Sequence, residues 1–467
     1  MPRTKVAFIL VVVLYVGFVH ATDEPALVPA PGRRVISLTP IPGRFSEPSI
    51  AINTVNPKKL VAAFQSNASV GYSTDGGETW NVAEGTAPAN YKRSGDVTIT
   101  YDHQGHAILC FIAFDQLGTW KYWAHNATRN GVFVRRSLDG GKTWEANAVP
   151  VIEHASQPGI PFEDKPYIVA DNQPQSPHLG NLYVGWSQDR ESEAAIVVSR
   201  STDGGLTWSK PVQVNEHPGL PRDDNGTVEG FSGVVTPDGA LHVIWSDTDH
   251  IVYSVSRDGG RTFSHNRILA NTGPSHFFIF NAGHANGYPQ IDTAKIKGRK
   301  HSALYITWSD YTNGDVDVFC IASSNGGRRW GQAVRVNSDP IHNGADQLFQ
   351  WLAVDPTSGA INVMFYDRRR DPKNRQVEVV LARSTDEGKT FQNYLLSEQP
   401  YDPHGSSIGD YTALAAYAGR VYGSWTEVVP AATSGSGGSS DLDGRQAIIR
   451  IGTADFRSGT ESARTRN

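Results

Sequence analysis

The chain has 467 residues, of which 39% are hydrophobic, 10% aromatic and 19% charged, which supplies a large core and excludes a disordered or coiled-coil protein. Forty-six glycines and 27 prolines against two methionines exclude a helical bundle and point to many short strands reversed by tight turns. A net charge of −5 excludes a basic nucleic-acid footprint, so no nucleic-acid partner is expected.

Residues 1–21 carry the pattern of an export signal: Arg3 and Lys5, an apolar run from Val6 to Val19, and an ending Val19-His20-Ala21. Its removal predicts a mature chain from Thr22 in a secreted or periplasmic location, with a net charge of −7 and no membrane span. Residues 22–32 read as a linker, 33–456 as a single domain, and 457–467 as a polar tail. The Ser/Gly-rich stretch Ala431 to Arg445 reads as a mobile loop. Cys110 and Cys320 lie in apolar strand-like runs and read as two buried free thiols.

An internal repeat dominates the domain. Ser73-Thr-Asp75-Gly-Gly-Glu-Thr-Trp80 recurs around Asp139, Asp203, Asp258, Asn325 and Asp386, with the initial Ser residues 64, 64, 55, 67 and 61 apart. Each period holds four strand signals in one order, as in Lys165–Asp171, Asn181–Ser187, Ala195–Ser201 and the short run after the Asp-Gly-Gly turn. First strands start near Pro48, Asp96, Lys165, Gly230, Tyr288, Gln350 and Tyr411, which makes seven units. The last unit lacks an outer strand, and residues 33–39 supply it. The prediction is an all-β, closed seven-bladed β-propeller whose N-terminal strand completes the last blade. The motif itself is structural, because six copies cannot each be an active centre.

Turns alternate between the two rims of such a blade, so the Asp turns share one rim, and the strand 2–3 loops and blade-to-blade connections share the other. The second rim is where the chain stops repeating. Its connections offer Arg44 and Glu47, Arg93 and Asp96, Glu163-Asp164-Lys165, Asp223 with Glu229, His276 with His284 and Tyr288, and Asp410-Tyr411; its 2–3 loops add Arg190 and Arg368-Arg369-Arg370. Carboxylates, arginines and aromatics converging on a concave rim suit a glycan. Trp186, Trp245, Trp308, Tyr366 and Trp425, which end the second strands, read as packing between blades. The aromatic insertion Phe277 to Phe280 reads as a lid or a dimer contact. No organic cofactor is implied, and the Asp247/Asp249 and Asp310/Asp315 pairs leave a Ca²⁺ site open.

The six copies resemble the Asp boxes of the sialidase superfamily, and the resemblance covers nearly the whole mature chain. It implies a propeller with a glycan substrate, a tyrosine nucleophile paired with a glutamate, an aspartic acid, and arginines for a substrate carboxylate. Residues of those types at inner-strand starts are Asp96, Glu229 and Tyr411 for catalysis. For binding they are Arg44, Arg93, Arg190 and Arg368, with His284 and Tyr288 beside them. The sequence departs from the family in lacking Arg-Ile-Pro, since Arg44-Phe-Ser-Glu47-Pro48 keeps only its Arg and Pro, and in showing seven units where sialidases have six blades; a six-bladed sialidase-type propeller is the alternative fold. Three functions stay open: a glycoside hydrolase acting on terminal sugars, a polysaccharide lyase using His284 or Tyr288 on uronates, and a non-catalytic glycan- or protein-binding propeller. Oligomeric state is not encoded legibly.

Overall fold

The computed structural model describes residues 27–457 except 84, 86, 120, 121, 297, 406 and 430–445. The export signal, the tail beyond 457 and the Ser/Gly-rich loop lie outside the described residues. Every named element among those described is a β-strand, and they build seven four-stranded antiparallel blades. The innermost strands are Ser46–Ile52, Arg93–Tyr101, Phe162–Ala170, Val228–Val235, Gln290–Ala294, Gln347–Val354 and Ala413–Tyr417, at or within a few residues of the seven predicted starts.

Closure follows the expected route. Strand Arg34–Ser37 pairs antiparallel with Gln446–Asp455 as the outermost strand of the seventh blade. The Leu38 N–H donates to the Ile449 carbonyl at 2.8 Å and Thr39 Oγ1 accepts from the Ile449 N–H at 2.9 Å. The last blade therefore presents no bare edge along this stretch. One feature of the predicted linker differs: Val28–Pro29 runs parallel to Tyr394 and Leu395 as a fifth strand on blade six. Proline suits that place, since an edge strand has a side that needs no N–H donor.

The Asp boxes are turn locks on one rim. In the fourth, Asp258 accepts from Ser256 Oγ at 2.8 Å, from the Arg261 and Thr262 N–H groups at 3.0 Å each, and from Thr262 Oγ1 at 2.7 Å. The Gly260 N–H, at φ 78°, donates to Ser256 Oγ at 2.9 Å. Burial opposes the charge on Asp258, but the bonds from Thr262 and Ser256 outweigh it and hold the carboxyl down at about 2. Trp186, Trp245, Trp308, Tyr366 and Trp425 are all buried between sheets, as is the pair of free thiols.

What turns this repeat into a site is a β-bulge. Register shifts occur between Ser46/Ser49, Gly95/Thr98, Asp164/Tyr167, Glu229/Ser232 and Leu348/Trp351, the same place in five innermost strands. Each bulge holds one residue at positive φ: Glu47 (52°), Asp96 (48°), Lys165 (47°), Gly230 (71°) and Phe349 (50°). A bulge re-aims a side chain, so each of these blades places one residue at the inner end of its connection; Tyr288 and Tyr411 hold the corresponding positions in the other two. At Gly230 a Cβ would meet the Tyr288 ring at 2.6 Å, so only glycine allows that ring to lie there. Just beyond the bulges, inner strands are tied to their neighbours: Ser49 Oγ accepts from Ile99 N–H at 3.1 Å, Thr98 Oγ1 from Ile168 N–H at 3.2 Å, and Ser232 Oγ from Ile291 N–H at 3.3 Å.

Replacing Asp258 by Ala removes the acceptor for four donors and is expected to cost about 1–3 kcal/mol of unfolding free energy in urea titrations at pH 7. A carboxyl held at about 2 contributes stability above its unfolded value near 3.8 and loses it as pH falls toward 2. The variant is therefore expected to lose less stability than the parent between pH 4 and 2.

Candidate active site

The bulge residues and those just before them meet around a single buried ammonium. Lys165 Nζ lies 2.9 Å from Glu229 Oε1, 3.2 Å from Asp410 Oδ2, 3.4 Å from Asp223 Oδ1 and 3.6 Å from Asp164 Oδ2. These groups come from blades three, four and seven and from the connection into blade four. The Lys165 backbone N–H donates to Asp96 Oδ2 at 3.1 Å, so one residue touches the second blade with its main chain and the others with its side chain. Lys165, Tyr167, Tyr288, Phe349, Gln350, Trp351, Asp410 and Tyr411 line the cavity at this point.

The carboxyls fall into two sets. Burial foremost, then Asp410, pushes Glu47 up to about 8 in spite of Lys165. Burial, with Asp164 and Glu47 adding to it, raises Asp96 well above the carboxylate range, and Asp96 shares a side-chain hydrogen bond with Asp164. Asp189 is raised in the same way. On the other side of the lysine, burial again opposes charge at Glu229 and Asp223, but the Lys165 ammonium and then His276 outweigh it and hold both below their ordinary values. Lys165 itself resists desolvation because Asp223, Glu229 and Asp164 surround it and raise it. His276 Nε2 is 2.7 Å from Tyr288 Oη, 3.3 Å from Glu229 Oε2 and 3.5 Å from Asp223 Oδ1; against the effect of burial, those carboxylates raise it to about 9. At neutral pH the cluster around Lys165 thus holds protonated carboxyls near Asp96 and ionised ones near Glu229.

Asp96, Glu229 and Tyr411 share this cluster. Tyr411 Oη donates to the Val97 carbonyl at 3.3 Å. Burial and then Glu47, Asp96 and Asp410 push its phenol well above the usual range. Glu229 raises Tyr288, after burial. The His284 ring lies 5.1 Å from that of His276, with Nδ1 4.0 Å from Asp410 Oδ1. Arg44 and Arg93 line one groove of about 650 Å³ together with Glu47, Tyr91 and Lys92.

Arg190 and Arg368 are spent elsewhere. Arg190 binds Glu193 at 2.6 Å and Gln188 at 3.1 Å. Arg368 is buried, with Nη1 donating to the Phe280 and Asn374 carbonyls at 2.7 Å each, while Arg369 pairs with Asp367 and Arg370 with Glu378. The aspartates weighed for Ca²⁺ cap loops: Asp310 accepts from Trp308 Nε1 at 2.6 Å and Asp315 from the Gly344 N–H at 2.7 Å. Asp223, Glu229 and His276 do bring ligand-type atoms within 4.8 Å of one another. Lys165 Nζ already neutralises two of them, so the group reads as an ion-pair network.

An Asp-box β-propeller with an acidic chamber on its axis is the class that this fold and site define. A BNR repeat-like domain matches residues 69–277, and the six Asp boxes are similar to those of sialidase-like proteins. A sialidase of Bacteroides fragilis (strain YCH46) is 30% identical over 165 residues, 30% of this chain, and the match spans 30% of that protein's length. Among solved structures the chain is similar to a Hadza microbial sialidase at 14% identity (87% of this chain, 75% of that one, TM-score 0.46). It is also similar to a Dyadobacter fermentans protein of unknown function at 14% identity (91% and 100%, TM-score 0.46) and to an α-L-arabinofuranosidase of Fusarium graminearum at 13% identity (74% and 95%, TM-score 0.47).

Replacing Lys165 by Met leaves Glu229, Asp223, Asp410 and Asp164 facing one another without a cation. The expected loss is about 3–5 kcal/mol at pH 7.5, read by thermal and urea unfolding, and less at pH 5, where the carboxyls take up protons. His276 is expected to titrate near pH 9 by NMR; its contribution to stability is full below about 6.5 and is lost as pH rises through 9.

Proposed function

We propose that the protein is an exported glycoside hydrolase that releases a terminal sugar carrying an anionic group. The observation that carries this reading is the split of ionisation within the one cluster of carboxyls around Lys165. Hydrolysis of a glycosidic bond needs a carboxylic acid to protonate the leaving oxygen and an ionised carboxylate to stabilise or attack the anomeric carbon. Asp96, hydrogen-bonded to the Asp164 carboxyl and beside Glu47, is the donor. Glu229, held ionised by Lys165 and His276, is the carboxylate partner that directs water or forms the glycosyl ester. As the C–O bond breaks, the Asp96 proton passes to the departing oxygen and positive charge on the sugar ring faces Glu229, Asp223 and Asp410.

Tyr411 is the third member of the set. Its phenol is held protonated among acids, so it serves as a neutral hydrogen-bonding wall on the Asp96 side, and the nucleophile role implied by the family resemblance falls to a carboxylate. Arg44 and Arg93, with Lys92 beside them, face the groove at Glu47 and are the groups suited to a carboxylate on the sugar. The name of the Bacteroides relative, a sialidase, agrees with an acidic sugar. The Arg3, Lys5 and Val6–Val19 pattern supports export. Elimination chemistry finds less support at Tyr288, whose phenol burial and Glu229 hold protonated, so that it is not poised as a base.

Residues 22–467 incubated with sialosides, neutral oligosaccharides and uronate polysaccharides are expected to release a free sugar with the mass of added water. An unsaturated product would establish a lyase, and an unchanged panel a binding protein. Asp96→Asn and Glu229→Gln are each expected to lower kcat/KM by about 10²–10⁴-fold, and Tyr411→Phe by only about tenfold, one hydrogen bond's worth of transition-state contact. Arg44→Ala and Arg93→Ala are expected to act mainly on KM. The rate is expected to fall as pH rises through about 8, where Glu47 loses its proton, and Glu47→Gln to remove that limb.

A further inference from the structure

The connection from blade four to blade five carries a two-stranded hairpin, His276–Ile279 against Gly283–Asn286, with pairs His276/Asn286, Phe277/Ala285, Phe278/His284 and Ile279/Gly283. Alternation gives it two faces. Phe277, Ile279 and Ala285 pack down onto the core, and the Phe277 ring meets Tyr311 edge-on at 5.1 Å. The other face holds His276 and Asn286 in the chamber wall, where Asn286 Nδ2 donates to the Asp410 carbonyl at 2.9 Å, and Phe278 with His284 one step farther out. Phe278 is 76% exposed, the highest value among the phenylalanines of the described residues, although the hairpin has a filled apolar face immediately beneath it.

We infer that Phe278 and His284 form the wall of a subsite for the sugar that leaves, so that the substrate is an oligosaccharide and not a glycoside of a small alcohol. This rests on the hydrolase reading above. The wall is continuous with the chamber, because the His284 ring lies tilted beside that of His276, with Nδ1 4.0 Å from Asp410 Oδ1. A flat apolar ring beside a half-exposed imidazole matches the C–H face that a pyranose presents. A leaving sugar lies on the solvent side of the cleaved bond, and Phe278 stands on the solvent side of His276.

The test compares wild type, Phe278→Ala and Phe278→Trp on the oligosaccharide that the glycan panel identifies and on the glycosyl fluoride of the same sugar, whose leaving group has no ring to stack. Phe278→Ala is expected to lower the ratio of kcat/KM for oligosaccharide over fluoride by roughly 3- to 10-fold, with Phe278→Trp restoring it. An unchanged ratio overturns the subsite. An unchanged ratio with a wild-type dimer that Phe278→Ala dissociates in sedimentation overturns it too, and assigns the ring to a second copy of the chain. A wild type that cleaves neither substrate overturns the hydrolase reading and the subsite with it.

Discussion

Everything on the axis depends on one buried cation. Taking a carboxylate out of water costs several kcal/mol even after relaxation, and Glu229, Asp223, Asp410 and Asp164 stand within salt-bridge distance of a single point, which Lys165 Nζ fills. One positive charge cannot neutralise the whole acidic ring. The remainder is met by His276, which takes up a proton, and by Glu47 and Asp96, which keep theirs. The division into protonated and ionised carboxyls thus follows from burial and from the charges that surround each group.

The lysine reaches that point because of how the blade repeat is broken. A regular innermost strand would alternate its side chains between the two neighbouring blades and leave the axis to main chain. The bulges interrupt the alternation once per strand and hold one residue at positive φ, a conformation that an L side chain adopts at some strain. Glu47, Asp96 and Lys165 accept that strain on three successive blades, and their side chains meet there. At Gly230 the same geometry is relaxed, and the vacated space is filled by the Tyr288 ring. The repeat therefore supplies seven equivalent positions, and chemistry is written by which residues occupy them.

This explains what the sequence shows and what it hides. The blades, the closing strand at 33–39 and the Asp-box rim were legible because each rests on a local pattern: period-two strands, Asp-Gly-Gly turns and a missing outer strand. The site face was legible by subtraction, as the rim where the repeat fails. Lys165 was not, because in Lys165-Pro-Tyr-Ile-Val it reads as the ordinary start of a strand. Its only signal is a column, Glu47-Pro48, Lys165-Pro166 and Tyr288-Pro289, in which the residue before a proline changes while the following strand does not. Likewise the arginines look alike in sequence, and only tertiary partners separate Arg44 and Arg93, which line the Glu47 groove, from Arg190 and Arg368, which are bonded to Glu193 and to main-chain carbonyls. The placing of Tyr411 beside Glu47, Asp96 and Asp410 is a question of which blade neighbours which around a ring, and no spacing along the chain encodes it.

The two rims divide the demands of stability and chemistry. On the Asp-box rim, aspartates are held ionised by hydroxyl and N–H donors within five residues of sequence, so each lock is local, repeated and nearly independent of its neighbours. On the other rim, every group that matters is defined by residues from other blades: Asp96 through the Lys165 main chain, Glu229 through its ammonium, His276 through Tyr288 and Asp223. A change there propagates around the ring, whereas a change in an Asp box stays in its blade. Such an arrangement lets the connections, including the hairpin that carries His276 and Phe278, vary in length and sequence without loosening the blades that aim them.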